Sequence, residues 1–302
     1  MNILFLSVFL LLIICVITSQ ASLLECDFVL RDNSYNCEII SQKLMTRDAV
    51  QFKTDGHVAG KTNSAVVVVD FIRSHVKFIP KEIFTKFPNI ELLRLDDTQM
   101  ETWNKDDLQG ATKLKFLLVE HNLIRVLGSD SFINTPNLKQ LFLRGNKISI
   151  INSQAFARLS QLEILVLGQN KITTLDVNVF VPLLNKLTFL SLEFNEIPEL
   201  PPKIFQQLKK LDNLQLNNNK LTSLPKELLE KNLKLIQLNV AYNPIQRIAT
   251  SSIPSSLTTL IIGKINPRSF KSLLTISLLL IPDDSMDIIN APIKLKVIHV
   301  TT

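Results

Sequence analysis

The stretch LKQLFLRGNKI, Leu138 to Ile148, decides how the whole chain folds. It returns 24 residues later as LEILVLGQNKI, Leu162 to Ile172. With L for any apolar residue, both copies read L-x-x-L-x-L-x-x-N-x-L. A fixed period this short marks a solenoid, in which each repeat packs only on its neighbours. The first apolar position recurs at Val66, Ile90, Leu114, Leu138, Leu162, Leu187, Leu211, Leu235 and Leu257. The spacing is 24 residues, except 25 at Leu187 and 22 at Leu257. The Asn position is held by Asn122, Asn146, Asn170, Asn195, Asn219 and Asn243, with Ser74 and Thr98 in the first two units.

Each residue type in the repeat has a physical task. The L-x-L core predicts a short strand whose apolar residues point inward on the period-2 alternation, and successive units stack these strands in parallel. Each buried Leu contributes roughly 1.5–3 kcal/mol. The Asn stands where the chain leaves the strand. Its amide is expected to bond its own turn and the next unit, forming a ladder. Farther along each unit a bulky residue recurs at Phe84, Leu108, Phe132, Phe156, Phe180, Phe205 and Leu229, and this column is read as the packing of the outer side.

Working outward, the first 21 residues form a separate object. Ile3 to Ile17 is almost wholly apolar, and Ser19-Gln20-Ala21 is a small-x-small cleavage signal. The segment reads as a secretory signal peptide cut after Ala21, with an uncleaved anchor as the alternative. An apolar run of this length falls short of the roughly 20 residues of a membrane span. Cys15 leaves with that segment, and Cys26 and Cys37 remain as an even pair expected to form one disulfide in an oxidising compartment. Asp27–Leu30, a turn over Arg31–Ser34, then Tyr35-Asn36 predicts a hairpin that covers the first edge of the solenoid. The expected organisation is signal peptide 1–21, N-terminal cap 22–65, repeats 66–262, and irregular C-terminal repeats or cap 263–302. In that last part, Ile276-x-x-Leu279-x-Ile281 and Leu295-x-x-Ile298-x-Val300 fit the strand template.

The repeat register resembles the extracellular, 24-residue type of leucine-rich repeat protein. The Cys26 and Cys37 pair, followed by Gly56-His57-Val58-Ala59-Gly60-Lys61-Thr62-Asn63, resembles the capping module of secreted insect members of that family. The resemblance implies an α/β-type horseshoe with a parallel β-sheet on its concave face and short helices or turns on its convex face. It implies ligands on the concave face or along an edge, and a role in innate immunity or extracellular signalling. The C-terminal cysteine cap common in the family is missing.

Chemistry-bearing motifs are sparse. The segment Gly56–Thr62 has only three residues between its glycines, one short of a phosphate loop, and lacks the flanking strand and helix. His57, His75, His121 and His299 show no metal spacing, and Asp96-Asp97, Asp106-Asp107 and Asp283-Asp284 lack a calcium-loop pattern. No enzyme activity, cofactor or metal is expected. Lys and Arg number 33 against 27 Asp and Glu, a net charge of +6 scattered along the chain. Solvated faces are the expectation, not a nucleic-acid surface.

The informative positions are those the repeat leaves free. The residue before the second apolar position runs Val68, Leu92, Phe116, Gln140, Ile164, Phe189, Asn213, Gln237. The residue after it runs Asp70, Arg94, Leu118, Phe142, Val166, Ser191, Gln215, Asn239. Both face outward on the concave side. The middle repeats are apolar where the template permits polar residues, with Phe194 nearby and Asp96, Asp97, Glu120, Arg144 and Glu193 at the rim. An apolar centre within a polar rim is how interfaces look. The candidate patch is therefore Leu92, Phe116, Leu118, Phe142, Arg144, Ile164, Val166, Phe189 and Phe194. Its expected partner is a protein or other extracellular macromolecule, with a homodimer of a structural or adhesion protein as the second reading. No membrane span is expected in the mature chain.

Overall fold

The computed structural model describes residues 22–47, 50–245, 247–248, 253–262, 278–282 and 296–300. The expected signal peptide and its cleavage site lie outside the described residues.

Among the described residues, thirteen strands form one sheet, stacked in chain order. A hairpin of Asp27–Arg31 and Ser34–Ile40 opens it. The two-residue turn, Asp32 and Asn33, is left-handed at both positions (φ 46° and 64°), the geometry that matches the twist of paired antiparallel strands. Every later pairing is parallel and in register. Leu93, Leu117, Leu141, Leu165, Leu190, Leu214, Leu238 and Leu260 stand side by side across neighbouring strands, all fully buried. The strands are three residues long over most repeats. A concave sheet of this kind needs only the L-x-L core, because the chain must turn away at once to complete its unit.

The repeat begins one unit earlier than Val66. The hairpin's second strand pairs in parallel with Val68–Ile72, placing Cys37 opposite Val69 and Ile39 opposite Phe71. Leu44 then lies opposite Val76 in a second, two-residue ladder on the flank. Cys37, Ile39 and Leu44 are fully buried. The cap is thus an elongated unit whose first apolar position holds Ser34, which hides it from a hydrophobic count. Cys26 and Cys37 are disulfide-bonded. The loop after the cap is tied down by His57. Tyr35 Oη lies 2.9 Å from His57 Nδ1, and His57 Nε2 lies 2.9 Å from Asn63 Oδ1. The Val58 N–H donates to Tyr35 Oη at 3.1 Å, and the Phe28 ring packs 4.0 Å from the imidazole.

The convex side is mostly turns. Among the described residues it carries one short α-helix, Glu82–Lys86, and 3-10 turns at Lys105–Leu108 and Val181–Leu183. Its core is the bulky column expected from sequence. Phe132, Phe156, Phe180 and Phe205 are fully buried and stack ring on ring at 6.0, 6.2 and 5.9 Å, with interplanar angles of 13°, 14° and 21°. Trp103 caps this spine 5.0 Å from Phe132 and donates its indole N–H to the Ser131 carbonyl.

The Asn ladder forms, but it points backward. Asn146 Oδ1 accepts from the Ile124 N–H, and its Nδ2 donates to the Val119 and Leu143 carbonyls. Asn122, Asn170, Asn195, Asn219 and Asn243 repeat the pattern. The inter-unit partner is therefore the preceding repeat, not the next. The preceding chain leaves its strand beside the amide, and the N–H two residues past its own Asn is the donor left open. Ser74 does the same job toward the cap, donating to the Ile39 carbonyl and accepting from the Gln42 N–H. The Thr98 hydroxyl instead shares its one proton between the Leu95 carbonyl at 2.9 Å and Asn122 Oδ1 at 3.0 Å.

A second column was not foreseen. The residue just before each Asn position is left-handed: Arg73, Asp97, His121, Gly145, Gln169, Phe194, Asn218 and Tyr242, with φ from 49° to 71°. Only one of these eight is glycine. The conformation costs a non-glycine residue about 1–2 kcal/mol, and the hydrogen-bonded Asn, Ser or Thr next door holds it in place.

The sheet continues past Thr259–Ile261 into Leu278–Pro282 and Lys296–Val300. Leu279 lies opposite Leu260, as the template has it. The last strand departs by one residue: Val297, not Ile298, stands opposite Leu279. The rest of 263–302 is outside the described residues.

Candidate binding surface

The in-register pairing fixes which free positions meet. One column along the concave face reads Asn36, Val68, Leu92, Phe116, Gln140, Ile164, Phe189, Asn213, Gln237, Thr259. Its neighbour, two residues on, reads Glu38, Asp70, Arg94, Leu118, Phe142, Val166, Ser191, Gln215, Asn239, Ile261. Leu92, Phe116, Leu118, Phe142, Ile164, Val166 and Phe189 all keep part of their surface exposed, while the Leu residues between them are sealed. The strands thus bring these seven together as one patch. Gln140 is the single polar side chain among them, lying between Phe116 and Ile164.

Three residues sit otherwise. Phe194 is off the strands, in the left-handed turn position, and is 45% exposed. Arg144 lies just past the third apolar position and forms the patch border. Its guanidinium is 3.6 Å from Glu193 Oε1, and its Nε donates to Gln169 Oε1 at 3.1 Å. The strand between Arg144 and Glu193 carries Gly168 at the matching position. A Cβ there would stand 2.8 Å from Glu193 Cγ, so the glycine is what lets the carboxylate reach across to the arginine. Ser191, expected to face outward, is only 2% exposed, and its Oγ has no hydrogen-bond partner. Gly168 leaves the room in which that hydroxyl sits, a Cβ there being 3.3 Å away.

At the N-terminal end the face turns acidic. Arg31 pairs with Glu38 at 2.6 Å, and Arg94 with Asp70 at 2.6 Å and Asp96 at 3.8 Å. Asp96 Oδ1 also accepts the Glu120 N–H at 2.7 Å. Burial pushes the carboxyls of Asp70, Asp96 and Glu120 above their ordinary range. Arg94 works against this at the two aspartates, while the nearby Asp96 adds to the rise at Glu120. Glu38 and Asp70 belong to this rim, but sequence periodicity does not place Glu38 there, because Ser34 interrupts the register. The alternation Cys37-x-Ile39 ahead of Leu44 is the signal that finds it.

At the other end Asn213, Gln215, Asn218, Gln237 and Asn239 are partly exposed amides. Gln215 Nε2 donates to Asn213 Oδ1 at 2.6 Å. Beside them Asn217 is buried, and its Oδ1 has no partner.

Among the described residues, no group of three or more His, Cys, Asp or Glu side chains could hold a metal, and no helix is long and apolar enough to cross a membrane. Two cavities of about 400 Å³ lie away from the apolar columns. One is lined by Arg47, Phe78, Lys81, Asn104 and Asp107, and the other by Thr173, Pro198, Pro201, Pro202 and Pro225. In the first, Arg47 is already bound to Asp107 in a two-pronged pair and lies over the Phe78 ring.

Comparison with known proteins adds three findings. A leucine rich repeat family model matches residues 112–172, 136–197, 160–221 and 185–245. No curated protein sequence matches the chain. Among solved structures, the fold is similar to TLR13 in its complex with ssRNA13, at 20% identity and a TM-score of 0.61, over 80% of this chain and 40% of that one. It is also similar to a chain of the Toll–Spatzle complex of Drosophila development and innate immunity, at 17% identity and a TM-score of 0.52, over 78% of this chain and 40% of that one. At these identities the likeness is one of fold, and this chain spans well under half the length of either.

Proposed function

The chain is a leucine-rich repeat protein, and from that premise we propose that it is a secreted, non-enzymatic recognition protein whose concave sheet holds a macromolecular partner. The observation that carries this is the contiguous apolar patch. Phe116, Leu118, Phe142, Ile164, Val166 and Phe189 occupy adjacent in-register positions and stay partly exposed on a face where the fold requires no apolar side chain. Monomeric surfaces rarely hold large contiguous apolar areas without a use. The disulfide supports an oxidising, extracellular location. The similar solved structures are complexes with an RNA in one case and with Spatzle in the other, which supports a macromolecular ligand. A place in innate immunity or extracellular signalling is part of the same proposal.

The test compares wild type with Phe142→Asp and Phe116→Asp. Both variants are expected to keep a thermal midpoint within a few degrees of wild type, since one half-exposed ring makes a small contribution. Both are expected to lose the partner captured by wild type from extracellular fluid. Unfolding of the variants would make these residues core and end the proposal. A wild-type dimer in light scattering that Phe142→Asp dissolves would place a second copy of the chain on the patch instead.

A further inference from the structure

We infer that the partner segment held by the concave face is a basic polypeptide that lies along the solenoid, across the strands. Its cationic side chains meet the Glu38–Asp70–Asp96–Glu120 end, and its apolar side chains cover the Phe116–Phe189 centre. This rests on the reading of the apolar patch as a binding surface and adds the chemistry of what binds.

Charge complementarity is the first ground. The acidic end sets four carboxylates, Glu38, Asp70, Asp96 and Glu120, against two guanidiniums, Arg31 and Arg94. Among the described residues no cation stands within ion-pair distance of Glu120. These groups are partly withdrawn from water by the sheet they stand on, so a cation from outside gains more there than at an open surface. Among the described residues the two outward columns carry one cation, Arg94, already paired with Asp70, and Arg144 at their border is paired with Glu193. Arg73 stands apart from them, exposed in the left-handed turn column. The chain's net charge of +6 is therefore carried mostly off the two columns. A nucleic acid needs free Lys and Arg to replace its counterions, and the two columns offer none.

The second ground is the order of the surface. In one column acid, acid and arginine give way to Leu118, Phe142 and Val166, then to Ser191, Gln215 and Asn239. Asp70 and Phe142 are three strands apart, roughly 14 Å at about 4.8 Å per strand, which four to five extended residues span at about 3.3 Å each. A polypeptide with a basic run followed by apolar residues fits that order. The amide end, where Asn213, Gln215, Gln237 and Asn239 keep part of their side chains exposed, offers acceptors and donors to a continuing peptide backbone.

The experiment uses fluorescence anisotropy on the mature protein with three labelled probes. One is a short peptide with a lysine run beside alternating leucines. The second has glutamates in place of the lysines, and the third is a single-stranded RNA oligonucleotide. The lysine peptide is expected to bind about tenfold tighter than the glutamate peptide, and the RNA not to compete. In the Asp96→Asn plus Glu120→Gln variant, which keeps a side-chain oxygen at 96 to accept the residue-120 N–H, that preference is expected to shrink to about threefold or less, with the glutamate peptide gaining. Equal binding of both peptides to wild type, or RNA displacing the lysine peptide, overturns the inference and leaves the patch reading standing. Undiminished binding of both peptides to Phe142→Asp overturns the patch reading itself, and no binding of either peptide overturns both.

Discussion

Asn170 shows how much one side chain does in a repeat. Its amide donates to the Leu143, Leu167 and Gly168 carbonyls and accepts the Ile148 N–H, so it closes its own turn and staples the unit before it. Asn170→Ala leaves several buried backbone groups open at about 1–3 kcal/mol each. A loss of about 3 kcal/mol is expected in chemical denaturation, with Asn170→Asp no rescue because a carboxylate cannot donate. At the acidic end, Glu120 faces Asp96, Asp97, His121 and Arg144. Burial holds it, with Asp70 and Asp96, above the ordinary carboxylate range. The sign follows: a group with a raised folded pKa contributes stability below its unfolded value that is lost as pH rises through the folded one. These three acids alone therefore make the fold less stable at neutral than at acid pH. A bound cation reverses their preference, so affinity for the lysine peptide is expected to fall on acidification. The fall should begin above the pH at which free carboxylates titrate. Titrating anisotropy against pH checks this, and a flat profile would remove these acids from the contact.

At the scale of elements, the solenoid is two stacks held by different forces. The concave stack is a ladder of three-residue strands and the convex stack a run of aromatic rings. Phe156 lies between Phe132 and Phe180, fully buried and stacked on both. Phe156→Ala is expected to cost about 3–5 kcal/mol. Because each repeat touches only its neighbours, the loss should stay local. Amide exchange should quicken over roughly residues 130–205 while the cap keeps its protection. Exchange quickening evenly over the chain would instead mean that the repeats unfold as one unit. The Arg144–Glu193 pair is a bridge between elements, made across the gap at Gly168. Gly168→Ala fills that gap, pushes Glu193 aside and crowds the Ser191 hydroxyl.

Over the whole molecule, one end is sealed by covalent and aromatic chemistry. The Cys26–Cys37 bond closes an 11-residue separation, and such a crosslink contributes about 2–4 kcal/mol. Cys37 stands on the second strand of the sheet and Cys26 just ahead of the first, so the disulfide acts as a clamp on the end of the sheet. Reduction is expected to lower the thermal midpoint, with exchange quickening first in residues 22–76 and only later in the central repeats. Loss of protection in the centre first would show that the cap does not protect the stack. The concave surface also has a direction: acidic at the clamped end, apolar in the middle, amide-rich beyond.

The repeat register, the buried Leu and Phe columns, the Asn positions and the apolar patch were all legible in the sequence. Each depends only on a period, and a period survives any detail of how the units stack. Leu141 is buried and Phe142 half-exposed because a strand alternates, and that is known before any neighbour is placed. What only the tertiary structure decided are relations between units. The cap joins the sheet as an early repeat although Ser34 breaks its pattern. Each Asn reaches back to the preceding unit. His57 ties down the loop by bonding Tyr35 and Asn63. Glu38 joins Asp70 in one column, and Gly168 opens the path from Glu193 to Arg144. All but the His57–Asn63 bond are contacts between residues 20 or more apart, or gaps defined by what a neighbour lacks. Stacking alone sets which side chains meet, so a one-dimensional pattern names the residues of the surface but not their company.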